Sequence, residues 1–206
     1  MKDMKKTIVL LLMTLVSFTA NAQIWLGGEI GVSTNKTTLD GDQMNSSSFI
    51  EIAPEIGYTF NDRWAVALRM GYTHLNNYEV QLIDITTMGN CNQFSIEPFA
   101  RYTVFRANNV SFFIDGGVHY STLHKSGYDS PLNNLGIGIR PGVSLALGKT
   151  VSLVGHLGDI GYDHSWMKYH GNSDWVLKQS KTLKDNAFNF RLLGSVSFGV
   201  NINIGE

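Results

Sequence analysis

The sequence predicts an all-β fold, an eight-stranded antiparallel up-and-down β-barrel that crosses a membrane. Three observations support this fold class. After residue 22, apolar and polar residues alternate with a period of two along most of the chain, which is the pattern of strands with two different faces. The alternating stretches are about 11 to 14 residues or longer, enough for a tilted strand to cross a bilayer. Their connections alternate between short turns and long polar segments, as in outer-membrane barrels.

The N-terminal segment has the features of an export signal. Three lysines within the first six residues precede a mostly apolar run, Thr7–Ala20. This run is too short to span a bilayer as a helix, but it fits the core of a secretory signal peptide. Ala20 and Ala22 supply the small residues that signal peptidase recognises. We therefore expect a cleavable signal peptide at residues 1–22, a barrel domain at residues 23–206, and localisation in the outer membrane.

Eight alternating stretches follow the signal segment. Each stretch sets large apolar residues on one face against glycine, alanine, serine and isolated charges on the other. In chain order they are Gln23–Ser33, Ser48–Phe60, Trp64–His74, Gln93–Phe105, Val110–Ser121, Leu135–Leu147, Val151–Tyr162 and Phe188–Ile204. Val151–Tyr162 is the least regular of them, and we expect a bulge near Asp159 to shift its phase.

The connections between these stretches differ in length. Three are tight turns, at Asn61–Arg63, Ala107–Asn109 and Gly148–Thr150. Four are longer and polar, and we expect them to be extracellular loops. These are approximately Thr34–Ser47, Asn77–Asn92, Leu123–Asn134 and Asp163–Asn186.

The composition indicates which face of the barrel is outside. Charged residues make up 16% of the chain, below the roughly 25% of soluble domains. The apolar face carries no charge along most strands, whereas the other face is rich in small residues that fit a narrow interior. These features favour a lipid-facing exterior over a soluble lipocalin-like barrel, which would bury its apolar face. The net charge of −1 gives no basic field for a nucleic-acid partner.

Three prolines lie inside predicted strands, where a missing N–H normally removes a ladder hydrogen bond. Pro54, Pro98 and Pro141 recur 44 and 43 residues apart, always on the apolar face of an even-numbered strand and before a tight turn. This recurrence indicates a repeated hairpin unit with a tolerated kink or bulge at the same place.

Several of these segments resemble a known family. The segments that carry the resemblance are Ala53–Val66, Glu97–Tyr102, Phe112–Val118 and Arg140–Ser144. They are similar to the strand-turn-strand units of small outer-membrane β-barrel domain proteins, including OmpA-domain, OmpX-like and PorT-like barrels. The resemblance covers essentially the whole of residues 23–206. It implies an eight-stranded barrel whose role is structural, adhesive or unassigned.

Charged residues on the inward face are expected to form a pairing network. The set is Glu29, Glu51, Glu55, Arg69, Glu97, Arg101, Asp115, Arg140 and Arg191. Acids and arginines occur in nearly equal numbers, and arginine–carboxylate pairs satisfy one another in a narrow lumen. We expect this network to plug the barrel, because the interior of eight strands is just filled by side chains.

The turn lengths predict the register of two hairpins. If Phe60 lies opposite Trp64, then Glu55 lies directly opposite Arg69. If Arg106 lies opposite Val110, then Arg101 faces Asp115 and Glu97 faces His119. Directly opposite residues have Cβ atoms about 4.5–5.5 Å apart, so we predict two lumenal ion pairs.

A lipid-modifying hydrolase is the alternative function that the sequence leaves open. His119 and Ser121 share a strand face, and His164 and Ser165 follow Asp163. However, the face of His119 is predicted to point into the lumen, and adjacent residues in a strand point apart. His156 and the other histidines show no convincing metal-ligand spacing. We expect no catalytic site, no metal and no cofactor.

The long loops are the expected binding surface, because a rigid barrel presents them to the outside. The last loop contains Trp166, Tyr169, His170, Trp175 and Lys178, a mixture of aromatic anchors and charges. Alternatively, these aromatics rest at the membrane interface. Cys91, at the end of the second loop, is expected to be a free thiol.

We therefore expect a monomer surrounded by membrane lipids, with a structural or recognition role through an extracellular ligand or an envelope protein. The further alternative is a small channel or lipid transporter.

Overall fold

The computed structural model describes residues 23–39, 42–82, 85–126, 130–169 and 181–204. These residues form a closed barrel in which each strand pairs with the next and the last pairs with the first, which confirms the predicted fold class. The strands are β1 (Gln23–Leu39), β2 (Asp42–Thr59), β3 (Trp64–Leu82), β4 (Ile85–Ala107), β5 (Val110–Lys125), β6 (Leu132–Ala146), β7 (Val151–Tyr169) and β8 (Lys181–Ile204). Residues 1–22, the predicted signal peptide, lie outside the described residues. No helix in the described part of the chain is long and apolar enough to cross a membrane.

Two of the three tight turns have the predicted length. Phe60 donates its backbone N–H to the Trp64 carbonyl at 2.9 Å, and Leu147 does the same to Val151. In the first turn, the Asn61 side chain accepts hydrogen bonds from two following backbone N–H groups. The Asn side chain therefore stabilises the turn, as expected of an Asx turn.

The middle turn is shorter than predicted. Ala107 pairs directly with Val110, so the turn contains two residues, Asn108 and Asn109. Asn108 has a φ of 49°, a left-handed conformation that Asn tolerates better than most residues. A bulge between Thr103 and Phe105 then shifts the register by one residue. This shift is equal and opposite to the one-residue error in the predicted turn length. The predicted register is therefore correct from Thr103 with Phe113 onward.

The four long connections were predicted too long, because much of each is strand. β1 and β2 pair as far as Leu39 with Asp42, and β3 and β4 pair as far as Leu82 with Ile85. The last hairpin pairs as far as Tyr169 with Lys181. Beyond the membrane both faces of a hairpin meet water, so the apolar–polar alternation that marks a strand disappears.

The apolar face points outward, as predicted. Large apolar side chains are exposed on every strand. Aromatic pairs form a girdle at each end of this apolar surface, as expected where strands leave the hydrocarbon. At the turn end the pairs are Tyr58–Phe60, Trp64–Tyr102 and Phe105–Phe112, and at the loop end they are Tyr72–Phe94 and Tyr120–Trp166.

Outward polar clusters accompany the girdle at the loop end. Between β3 and β4, Asn92 Oδ1 accepts a hydrogen bond from Tyr72 at 2.9 Å and lies 2.7 Å from His74 Nδ1. Asn186 Oδ1 likewise accepts a hydrogen bond from Tyr162 and lies close to His164 Nδ1. Asn133 Oδ1 accepts a hydrogen bond from Tyr120. These side chains satisfy each other's hydrogen-bonding groups beside the aromatic residues of the loop-end girdle.

Each proline interrupts pairing with the following strand. The β2–β3 and β4–β5 ladders skip Pro54 and Pro98 and resume in the same register. At Pro141 the β6–β7 register shifts, between Ile139 and Gly142. The predicted local kink is thus a missing ladder step at two prolines and a true irregularity at the third. The irregularity expected near Asp159 is also present, between His156 and Gly158.

Three of the aromatic side chains that point into the lumen each face a glycine directly across the ladder. The pairs are Trp25 with Gly57, Phe99 with Gly117, and Phe113 with Gly142. A Cβ built at Gly57 or Gly142 would overlap the ring opposite it. Glycine is therefore required at these positions by the close approach of an aromatic ring.

Replacing Gly57 with alanine should lower the free energy of unfolding by about 1–3 kcal/mol, because the new methyl group overpacks against Trp25. Urea unfolding of the refolded barrel in detergent, followed by tryptophan fluorescence, measures this change. Gly148→Ala is the matched control, since a Cβ at this turn glycine meets nothing within 4 Å. Equal stability of the Gly57→Ala and Gly148→Ala variants would contradict the packing argument.

Candidate functional site in the barrel lumen

Arg69 is the centre of a group of charges in the middle of the lumen. It lies directly opposite Glu55 in the ladder and donates a hydrogen bond from Nε to this carboxylate, which confirms the predicted pair. Its Nη2 atom is 3.1 Å from Glu29 Oε1, and its Nη1 atom is 3.6 Å from Glu97 Oε2. One guanidinium on β3 thus joins carboxylates from β1, β2 and β4.

The second predicted pair, Arg101 with Asp115, is a two-pronged ion pair. Arg101 donates from Nε and Nη2 to the two carboxylate oxygens of Asp115, each at 2.7 Å. Both residues are buried. This geometry matches the fork of the guanidinium to the carboxylate plane and is among the strongest hydrogen-bonded arrangements.

His156 connects the two groups. Its Nδ1 atom is 2.7 Å from Glu29 Oε1, and its Nε2 atom is 2.9 Å from Asp115 Oδ2. In the sequence, His156 stands out only as a histidine without metal-ligand spacing, and the predicted charged network does not include it, because its strand is irregular and its inward position could not be read from the alternation. A histidine on the inward phase of β7, level with acids on neighbouring strands, would have been the available signal.

Arg140 extends the network to β6. It lies opposite Asp115 in the ladder, and its Nη2 atom is 2.9 Å from Glu97 Oε1. This contact lacks hydrogen-bond geometry, and Nη2 has no hydrogen-bond partner among the described residues. Arg191 is placed opposite Asp159 by the β7–β8 register, but its side chain lies outside the described part of the structure. The network therefore includes residues from all of β1 to β7.

Inward aromatic rings pack against the guanidinium groups. The Arg101 Cζ atom lies 3.9 Å from the centroid of the Phe113 ring and 5.4 Å from that of Trp25. Phe99 lies within 6 Å of three arginines, Arg69, Arg101 and Arg140. The rings exclude water from the ion pairs and add cation–π attraction.

The charges and rings together divide the lumen. A cavity of about 360 Å³ opens at the turn end and reaches Trp25, Arg101 and Phe113. A second cavity of about 460 Å³ lies toward the loop end and reaches Glu29, Arg140 and His156. The two cavities share no lining residue. We call the residues between them the plug: Trp25, Glu29, Glu55, Arg69, Glu97, Phe99, Arg101, Phe113, Asp115, Arg140 and His156.

His119 lies in a separate polar cluster nearer the loop end. Its Nε2 atom is 2.7 Å from Asp163 Oδ1 and 3.0 Å from Asn134 Oδ1. Ser165 accepts a hydrogen bond from Asn134 rather than contacting the imidazole. A serine hydrolase needs one imidazole nitrogen on the acid and the other on the serine. Here a single nitrogen faces both oxygen partners, which is not that arrangement.

The remaining candidate residues are dispersed. His164 faces outward, stacked against Trp166, whereas Ser165 faces the lumen, so this pair diverges as predicted. Trp166 belongs to the aromatic girdle at the loop end, which favours the interpretation that this residue rests at the membrane interface. Cys91 lies in β4, fully buried and with a free thiol. The side chain of Tyr169, together with His170, Trp175 and Lys178, lies outside the described part of the structure.

Comparisons with known proteins give a consistent result. The model of one family, described as "Outer membrane protein beta-barrel domain", matches residues 7–195. No curated protein matches the chain significantly. OprG from Pseudomonas aeruginosa has a similar structure, with a TM-score of 0.55 and 14% identity over 90% of this chain and 95% of that chain. Neisserial surface protein A aligns with 18% identity over 88% of this chain and 94% of that one, at a TM-score of 0.38. At these identities, the OprG match supports the fold alone.

Removing one partner of the Arg101–Asp115 pair should be strongly destabilising. The Arg101→Ala variant leaves the Asp115 carboxylate, only 1% exposed, without its fork, and should lose about 3–5 kcal/mol of unfolding free energy. Urea unfolding in detergent measures the loss. A double-mutant cycle with Asp115→Ala should give a clear coupling energy between the two sites.

Arg106→Ala is the matched control for Arg101→Ala. Arg106 is exposed at the turn end and donates a hydrogen bond to Ser111 at 3.3 Å. Its removal should change stability by no more than about 0.5 kcal/mol. Similar losses in the Arg101→Ala and Arg106→Ala variants would show that the plug contributes no special stability.

Proposed function

Because the chain belongs to the outer membrane protein beta-barrel domain family, shown by the match over residues 7–195, it is an outer-membrane barrel. We propose that it is a plugged barrel with a structural or recognition role, and that it is neither an open pore nor an enzyme. The observation that carries this proposal is the plug, which separates the cavity at the turn end from the cavity at the loop end.

The plug supports a role other than diffusion of solutes. A pore needs a continuous polar path, and here the path is filled at mid-depth by ion-paired side chains and aromatic rings. Arg101 and Asp115 are buried, and Arg69 is bonded to carboxylates from other strands. Opening a path would require breaking pairs in a poorly hydrated lumen, which costs several kcal/mol per ion.

The hairpins at the loop end support recognition. Pairing between β2 and β3 ends at Ser48 with Asn76, whereas the β3–β4 hairpin continues to Leu82 with Ile85. Within the described residues no β2–β3 ladder pair lies beyond these two positions, so the β1–β2 and β3–β4 hairpins separate above the barrel and present strand edges. Such edges bind extended peptides through backbone hydrogen bonds, so an extracellular protein ligand or an envelope protein is a suitable partner.

The geometry gives little support to the hydrolase alternative. His119 is held by Asp163 and Asn134 inside the lumen, away from lipid substrates. His164, which does face outward, lies 2.8 Å from the amide oxygen of Asn186 and has an aromatic neighbour rather than a serine. An acyl-transfer reaction needs a nucleophile within hydrogen-bond reach of the base.

The plug predicts that the purified barrel does not conduct ions. In planar lipid bilayers, the unmodified protein should give no stable conductance steps. Phe113→Ala combined with His156→Ala should produce small steps, because these two adjacent rings, with centroids 5.5 Å apart, fill the lumen between the cavities. Heat-dependent gel mobility confirms that each variant is folded.

The control for the conductance experiment is Phe112→Ala combined with Leu153→Ala. These residues lie on β5 and β7 and face lipid, so their removal should leave the bilayer recordings silent. Stable steps from the unmodified protein would refute the plugged-barrel proposal.

The recognition role requires the long hairpins to be outside the cell. In a Cys91→Ser background, Ser126→Cys places a thiol at the exposed loop end, and Asn108→Cys places one at an exposed turn. A membrane-impermeant maleimide should label the Ser126→Cys protein on intact cells, but the Asn108→Cys protein only after permeabilisation. The reverse pattern would show that the barrel has the opposite orientation.

A further inference from the structure

The seam between β1 and β8 is the shortest in the barrel. Its ladder contains six pairs, from Ile24 with Ile204 to Glu29 with Gly199. Every other pair of neighbouring strands is joined by ten or more pairs. β1 continues to Leu39, yet within the described residues it has no partner in β8 beyond Glu29. The barrel wall is therefore open between these strands on the loop side.

An irregularity in β8 explains where the seam opens. The β7–β8 ladder passes from His156 with Ser197 to Gly158 with Leu192. Two steps on β7 thus correspond to five on β8, so that residues 193–196 lack ladder partners in β7. A bulge of this kind bends its strand. The bent segment ends next to Phe198, and the ladder between β8 and β1 begins one residue later, at Gly199.

The cavity at the loop end reaches this opening. Its inward lining combines the charged residues Glu51, Arg140 and His156 with Phe49, whereas Ile30, Val32 and Phe198 are outward residues of the wall. These three apolar residues are 75%, 74% and 73% exposed, the largest values among the exposed apolar residues described. Residues of both strand phases line this cavity at the place where the β1–β8 ladder is missing, and we infer from this that the lumen reaches the lipid-facing surface at the seam.

An open sheet edge at membrane depth has a physical requirement. Unpaired backbone N–H and C=O groups do not persist against hydrocarbon, and they are tolerated only where they line a polar or water-filled cavity. The polar lining at Glu51 and Arg140 supplies such an environment for the β1 edge. The apolar rim supplies the opposite environment. Together they form an amphipathic site of about 460 Å³, within the usual size range of ligand pockets.

We propose that the β1–β8 seam is a lateral binding site for a single-chain amphiphile taken from the membrane. The hydrocarbon chain lies between Ile30, Val32 and Phe198, and the head group enters the cavity. Arg140 Nη2 is buried and lies 2.9 Å from Glu97 Oε1, but it makes no hydrogen bond within the described residues, and it donates to an oxygen of the head group.

The charges around the cavity select an uncharged head group. An anionic head would face Glu29 and Glu51, and a cationic head would face Arg140 and His156. A head with neutral acceptor oxygens, such as the glycerol ester of a monoacylglycerol, satisfies the guanidinium without a like-charge contact. This inference is independent of the recognition role, because it concerns the wall of the barrel and not its hairpins.

The test is native mass spectrometry of the complete barrel released from detergent micelles, with three probes of equal chain length: monoolein, oleate and oleylamine. We expect a one-to-one adduct with monoolein in preference to the two charged probes. Arg140→Met should weaken monoolein binding about fivefold, the loss of one hydrogen bond. Heat-dependent gel mobility confirms that this variant folds.

A cross-linked pair tests the route of entry. In a Cys91→Ala background, Ile30→Cys with Phe198→Cys allows the open seam to be closed by oxidation or by a short bis-maleimide. Closure should abolish the adduct. Leu26→Cys with Ile202→Cys is the matched control, because these positions are already paired in the same seam, and cross-linking there should leave binding unchanged.

Three results would overturn the proposal. They are the absence of an adduct with all three probes, preferential binding of oleate or oleylamine, and equal binding by the closed and open forms of the Ile30→Cys/Phe198→Cys protein. The bilayer recordings test the plug and do not depend on the seam. Stable conductance steps from the unmodified protein would refute the plugged barrel without affecting the lateral site, so the two failures can be distinguished.

Discussion

The width of an eight-stranded barrel is the constraint on which the rest of the structure depends. Strands in a membrane must pair with each other on both sides, so the sheet closes, and eight strands enclose a lumen that side chains just fill. Inward positions at the middle of the barrel, between the two cavities, are then either small residues or members of a packed group. The direct pairing of Trp25 with Gly57 and the Arg101–Asp115 fork are two solutions to the same shortage of space. Both follow from closure.

Closure also explains why much of the architecture could be predicted from sequence. Lipid on one side and a narrow lumen on the other impose opposite requirements on alternate residues, so the period of two marks both the strands and their faces. The pairing of Glu55 with Arg69 follows from a turn length and this alternation. The pairing of Arg101 with Asp115 was predicted through an incorrect turn, and it holds because the bulge between Thr103 and Phe105 compensates.

Other features could not be predicted, because they depend on irregularities or on water. His156 joins the two halves of the charged network, but it lies beside a register shift that conceals its orientation. The hairpins beyond the membrane are solvated on both faces, so polar strand and polar loop have the same composition. The open part of the β1–β8 seam depends on how far the first and last strands pair. No turn connects these two strands, so no turn length predicts where their pairing stops.

The three prolines have a consequence that concerns the chain before it folds. An exported barrel must cross an aqueous compartment while its long alternating strands are unpaired, and such strands readily form cross-β aggregates. Pro54, Pro98 and Pro141 each lie within a strand and interrupt its ladder toward the next strand. A strand that lacks one N–H is a poor template for a growing fibril. The ladder bonds that the finished barrel forgoes are thus a protection during transit, placed in every second strand from β2 to β6.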